Sequence, residues 1–173
     1  MKLNLLGLLA LVCAGHVIGA DAPKKFSAGE FQFTAPSGWQ WVESTSPMRK
    51  AQLKITGADS AQTAEVVFFH FGESNAGGIQ ANVDRWISQF EEPREKLKPK
   101  IDATTVGKHK VTYVQAEGTY LAGMPGGPKT RQPGTRLQGA ILESEQGSVF
   151  IKMTGPVALV NDNASAFNGS RSA

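Results

Sequence analysis

Ala64-Glu65-Val66-Val67-Phe68-Phe69-His70-Phe71-Gly72, followed across a short loop by Gly78-Ile79-Gln80-Ala81-Asn82-Val83-Asp84-Arg85-Trp86-Ile87-Ser88-Gln89-Phe90, is the stretch whose reading decides the fold. Val66, Val67, Phe68, Phe69 and Phe71 make a nearly unbroken apolar run, rich in β-branched and aromatic residues. Such a run predicts a strand covered on both faces. Gly72 to Gly78 supplies turn chemistry, and the period then changes. Ile79, Val83, Trp86, Ile87 and Phe90 fall within roughly 100° of one another at helical spacing, while Gln80, Asp84, Arg85, Ser88 and Gln89 take the other side. Pro93 is expected to end this helix, because it lacks an N–H and disfavours helical geometry in the residue before it. The stretch predicts a strand feeding a helix that lies on a sheet.

Working outward, the upstream chain alternates. Asp21 to Lys25 reads as a mobile polar leader. Phe31 and Phe33 alternate with Gln32 and Thr34, and Pro36-Ser37-Gly38 makes the turn. Trp39 and Trp41 share one strand face. Pro47 breaks the chain, and Ala51, Leu53 and Ile55 alternate with Gln52 and Lys54 in a strand with one wet face.

Downstream, a polar, lysine-rich connection is expected from Pro93 through Thr105. A long strand from about Lys108 to Leu121 carries Val111 and Tyr113 on one face and Val114, Ala116 and Tyr120 on the other. The glycines and prolines of Ala122 to Thr135 predict a mobile surface loop. Arg136 to Glu143 and Ser148 to Thr154 read as a hairpin across Glu145-Gln146-Gly147. Gly155-Pro156 opens a final helix, with Val157, Val160, Ala164 and Phe167 on one side. Six or seven strands in adjacent hairpins with two helices, and no alternating βαβ series, predict an α+β fold: a largely antiparallel sheet with helices packed on it.

Composition bounds the context. The chain has 173 residues. Lys2, the apolar run Leu3 to Val12 and the small-residue exit at Val17-Ile18-Gly19-Ala20 read as a signal peptide over 1–20. One domain over 21–173 is expected, periplasmic or secreted. No second apolar stretch is long enough to span a membrane. Cys13, the only cysteine, falls inside the signal, so the mature chain is expected to have no disulfide and no thiol chemistry. A lipid-modified Cys13 is the lesser alternative, since Ala10-Leu11-Val12 is a poor lipoprotein signal. Removing Lys2 from the 18 basic residues leaves 17 against 15 acidic ones, near +2, which is too weak a basic footprint for a nucleic-acid binder.

Each catalytic pattern meets a physical objection. Gly72-Glu73-Ser74-Asn75-Ala76 lies between strand and helix as a nucleophile elbow does, and Asp102 and His109 follow in the order of a triad. Ala76 replaces the glycine that lets strand and helix approach, and the preceding strands read as antiparallel hairpins. Ser74 or Asn75 as a helix cap is the plainer reading. Gly123 to Lys129-Thr130 is a spurious phosphate loop, because Pro128 removes a needed backbone donor and no helix follows. His70 alternates with Val66 and Phe68, so it is expected hydrogen-bonded and neutral on a covered face. No cofactor or metal is expected. Lysines 96, 98, 100, 108 and 110 read chiefly as a solvated edge. Lys129, Arg131 and Arg136, in or beside the flexible loop, are the expected binding residues for an acidic partner.

Phe31-x-Phe33-x-x-Pro36-x-Gly38-Trp39 resembles the opening strand–turn–strand of the PsbP-like fold, a group holding extrinsic photosystem II subunits, a Ran-binding nuclear import factor and many exported bacterial proteins. Gly77-Gly78 through Asn82, Arg85-Trp86 and Gln89-Phe90 is similar to a subset of the exported bacterial members. The resemblance implies a central antiparallel sheet between helices, an α/β/α sandwich, used mainly as a binding or assembly scaffold. No metal-binding or partner-binding residue of the photosystem or nuclear members matches here, so neither role carries over. The reading is then a non-enzymatic binding or accessory domain, monomeric, with an unknown protein or small ligand of the envelope as partner. A small-ligand or metal carrier using His70 and Trp39, and a small serine hydrolase using Ser74 and His109, are the alternatives.

Overall fold

The structure, a computed structural model, describes residues 24–73, 77–123 and 126–169. The run Val66 to Phe69 lies in β5 (Thr63–His70), near the middle of the sheet. It pairs on one side with β4 (Arg49–Thr56) and on the other with β9 (Val149–Pro156), with Val66 opposite Met153 and Phe68 opposite Ile151. Outside β4 lies β3 (Trp39–Trp41). Beyond β9 come β8 (Thr130–Leu142), β7 (His109–Ala122) and β6 (Lys100–Val106), so the order is β3-β4-β5-β9-β8-β7-β6. Every pairing is antiparallel.

Strand alternation then sorts the side chains into two cores. Ala51, Leu53, Ile55, Val66, Phe68, Ala140, Ile151 and Met153 face one layer. That layer is a separate hairpin of β1 (Lys25–Ala28) and β2 (Phe31–Thr34), with α3 (Val157–Asp162) and α4 (Ala164–Gly169) beside it. On the other face, Val114, Ala116, Leu137, Ile141 and Phe150 meet Val83, Trp86, Ile87 and Phe90 of the segment led by α1 (Ile79–Ile87), and Leu97 of α2 (Arg94–Leu97). Trp86 packs closely on β8 because residue 139 is glycine: a Cβ there would collide with the indole Cζ3. The antiparallel α+β architecture stands as expected, as do the faces assigned to the long strand and to Ala51, Leu53 and Ile55. Among the described residues no helix is long and apolar enough to cross a membrane.

Several boundaries differ from the sequence reading, each for a tertiary reason. Lys25 is not leader but the start of β1, which turns at Gly29 (φ 55°) and pairs with β2. Phe26 on it contacts Phe33, Trp41 and Phe68, with ring centroids 4.9–5.5 Å apart. The helix ends at Ile87, ahead of Pro93, because Gln89, Phe90 and Glu91 pair with the edge of β7: Leu121 N–H donates to Gln89 O at 2.7 Å and Glu91 N–H to Thr119 O at 2.9 Å. Pro93 instead caps the start of α2. The connection after it holds α2 and the seven residues of β6, all exposed. Nothing in their apolar pattern marks a strand; pairing with β7 alone makes one.

The segment 122–135 is not a loop throughout. Pairing of β7 with β8 continues to Ala122 opposite Thr130, interrupted where Thr119 faces Pro133 and Gly134. This bulge tolerates Pro133, which has no N–H to offer a ladder, and Gly134 takes the left-handed conformation at φ 63°. Thr119 turns its own N–H to the carboxylate of Glu92, at 3.0 and 2.9 Å. Those bonds hold the Glu92 carboxyl below the usual carboxylate range. The final helix is two short ones, broken at Asn163, whose side chain accepts from Trp39 Nε1 at 2.9 Å and donates to Leu159 O at 2.9 Å.

Candidate binding groove

The α1–α2 layer covers only part of its face of the sheet. Beyond Trp86, the floor formed by β4, β5 and β9 carries Gln52, Lys54, Glu65, Lys152 and Thr154, and these line a groove of about 910 Å³. Gln89, Tyr120, Gly123, Gln132 and Thr135, from the end of the α1 segment and the distal part of β7–β8, form its opposite wall.

Two polar constellations occupy this floor. In the first, Arg49 Nη1 donates to Gln52 Oε1 at 2.9 Å and lies 3.5 Å from Glu65 Oε1, while Gln52 Nε2 donates to the same carboxylate oxygen at 2.7 Å. In the second, Lys152 Nζ donates to Gln89 Oε1 at 3.0 Å and to Tyr120 Oη at 3.1 Å, and Tyr120 donates to Gln89 Oε1 at 3.1 Å. Burial disfavours the charged forms of Lys152 and Tyr120 in the second. Lys152 is pulled down to about 8, first by desolvation, with Glu65 opposing and Arg49 adding to the fall. Tyr120 is pushed up to about 12 by desolvation and then by the charge of Glu65. The arrangement presents an ammonium and neutral amides and hydroxyls to a polar ligand.

The three expected binding residues are not one cluster. Lys129 is exposed at the hairpin end, its Nζ 3.4 Å from Gly123 O. Arg131, in β8, is engaged by Glu91 through Nε and Nη2, both at 2.7 Å from Oε2, which raises the guanidinium pKa. Arg136 bonds Gln115 Oε1 at 3.0 Å, lies 3.6 Å from Glu117, and shares its strand face with Gln138 and Ala140, away from the groove. Lys129 and Arg131 instead flank the groove mouth, next in space or sequence to its lining residues Gly123 and Gln132.

The alternatives fare differently. Ser74 lies outside the described residues. His109 Nδ1 contacts Glu143 O at 3.1 Å and Glu30 Oε1 at 3.7 Å, and the ring meets Phe31 edge-on. Asp102 stands four residues along β6 from Val106, the partner of His109, about 13 Å at strand rise, so no acid–base pair forms with it. His70 is half-buried under the β1–β2 turn, with Nε2 3.0 Å from Gln146 O. Trp39 and Trp86 are buried in the two cores. Neither His70 nor Trp39 lines the groove or the smaller apolar cavity of about 380 Å³, which lies between Phe31, Phe33, Val106, Val111 and Tyr113 with His109 beside it.

The groove residues escape a pattern search because each is one polar position in a strand read for its apolar ones. One signal was present: Lys152 interrupts Val149-Phe150-Ile151-Lys152-Met153, a run otherwise buried on both faces. A lone lysine there must either cost stability or serve a site.

No protein-family model and no curated protein matches the sequence. The structure is similar to the solution structure of cyanobacterial PsbP (CyanoP) from Synechocystis sp. PCC 6803. The likeness covers 91% of this chain and 93% of that one, with a TM-score of 0.53 at 10% identity. The chain has the PsbP-like fold.

Proposed function

We propose that this PsbP-like chain is an exported accessory domain that works by binding rather than catalysis, with residues 1–20 as its signal peptide and 21–173 as a monomeric domain of the bacterial envelope. The observation that carries the reading is the groove: a large cleft whose floor is the sheet itself, lined by charged, amide and hydroxyl side chains from β4, β5, β7, β8 and β9. Sites on rigid elements hold binding geometry better than sites on loops. The partner is a protein, and Lys129 and Arg131 at the mouth attract its acidic surface before it seats.

Capture from envelope extract tests this. The wild-type chain retains a defined partner, and Lys129→Ala/Arg131→Ala retains it with a slower association rate. Capture of nothing specific, or labelling of the native protein by a serine-directed fluorophosphonate, overturns the reading. The apolar cavity beside His109 favours a second reading, a carrier of a small apolar ligand. Native mass spectrometry that finds a retained small molecule, lost on Val111→Trp, selects it.

A further inference from the structure

The groove's chemistry points further than its shape. An ammonium has three N–H donors. Lys152 spends one on Gln89 and one on Tyr120, and the third has no partner among the described residues. No described carboxylate forms an ion pair with it; Glu65, whose charge it feels, is bonded to Gln52 and Arg49. A desolvated cation without a counter-ion is an expensive arrangement, and a bound anion relieves it. The neighbouring lining residues Thr154, Thr135 and Gln132 add hydroxyl and amide groups. One ammonium with one N–H to spare suits a single carboxylate group, whereas a phosphate would lack the forked or multiple donors such groups need.

We propose that Lys152 and the groove around it form a carboxylate-binding site, which receives either an acidic side chain of the partner or a free organic acid. This rests on the groove being the binding surface proposed above. Its charge response involves Glu65 and Arg49 from the facing strands and Tyr120 from the wall.

The test is NMR on the full mature chain carrying ¹³C-labelled lysine, titrated with sodium glutarate at constant ionic strength and, separately, with sodium chloride. A saturable shift at the Lys152 ε-carbon is expected with glutarate, with its titration midpoint moving upward from about 8. Lys100→Met, on the exposed edge strand β6 away from the groove, keeps the response, and Lys152→Met abolishes glutarate binding. An equal response to chloride, or glutarate binding that survives Lys152→Met, overturns the proposal. Should Lys152→Met not fold, the wild-type titration decides alone, because a flat ε-carbon overturns the site. Glutarate that releases the captured partner identifies an acidic segment as the source; a small acid retained in native mass spectrometry identifies a free ligand. Partner capture unaffected by glutarate and by Lys152→Met leaves the accessory reading standing with this site removed. A specific Lys152 response without any partner leaves the site standing and the accessory reading removed.

Discussion

The two faces of one sheet differ in how completely they are covered. The face under β1–β2, α3 and α4 is closed by aromatic side chains: Phe26 and Phe33 meet Phe68 with centroids 4.9 Å apart, and Trp39 is locked by Asn163. The face under α1 and α2 is closed over β7, β8 and Phe150 and open over β4, β5 and the Lys152–Thr154 end of β9. Both faces follow from the same alternation. Where the covering layer reaches, the alternate positions are apolar; where it stops, Gln52, Glu65, Lys152 and Thr154 surround the single buried Val67. The lesson is that this scaffold makes its cleft by leaving part of a sheet uncovered.

This contrast can be broken experimentally. The largest effect is expected on the closed face. Phe68→Ala removes the ring that Phe26 and Phe33 pack against and should cost about 3–5 kcal/mol in urea unfolding. A cost near that of an exposed site would mean that this face is loosely packed. On the covered half of the other face, Gly139→Ala drives a methyl into the Trp86 ring and should cost about 1–3 kcal/mol, with a changed tryptophan emission. An unchanged midpoint would mean that α1 slides freely over the sheet.

The open half should declare itself through pH. The folded state holds the Lys152 proton more weakly than the unfolded chain, so its stability contribution rises with pH from about 8 towards 10.5. Tyr120 acts in the opposite sense: its folded pKa of about 12 lies above the ordinary phenol value of 10, so stability is lost between about 10 and 12. The unfolding midpoint should therefore climb above pH 8, by on the order of 1 kcal/mol, and turn down beyond about 10. Lys152→Met should flatten the rising limb; a rising limb that persists in this variant places the titrating group elsewhere. The smallest effect belongs to Arg131→Ala. Its ion pair with Glu91 is exposed, and the unfolding midpoint should not move measurably. A clear loss would make the hairpin end a stabilising element rather than a contact surface.

How much of this was legible depends on whether a feature is local or paired. The strand at Val66–Phe69, the start of α1 at Ile79, the two faces of β7 and the β8–β9 turn are all written as periodicity or turn chemistry. β6 was not, because Lys100–Val106 has no buried face, and neither was the strand character of residues 130–135, where glycine and proline disguise a bulge. The site was the least legible part. Arg131 and Arg136 read as binding residues in or beside a flexible loop, yet the fold brings Glu91, Glu117 and Gln115 to them. Lys152 stands alone in its strand sequence, and the fold sets it beside Gln89 and Tyr120, residues distant from it in the chain.

By itself, then, the sequence determined which segments alternate, where the apolar faces lie and that the result is an antiparallel sheet with helices on it, because burial acts on every residue through its own surface. Tertiary structure alone decided where α1 stops, that β6 is a strand, which cations are paired and which half of the sheet stays open. Those outcomes depend on hydrogen bonds and charges between groups remote in sequence, and such energies exist only once the partners have been brought together.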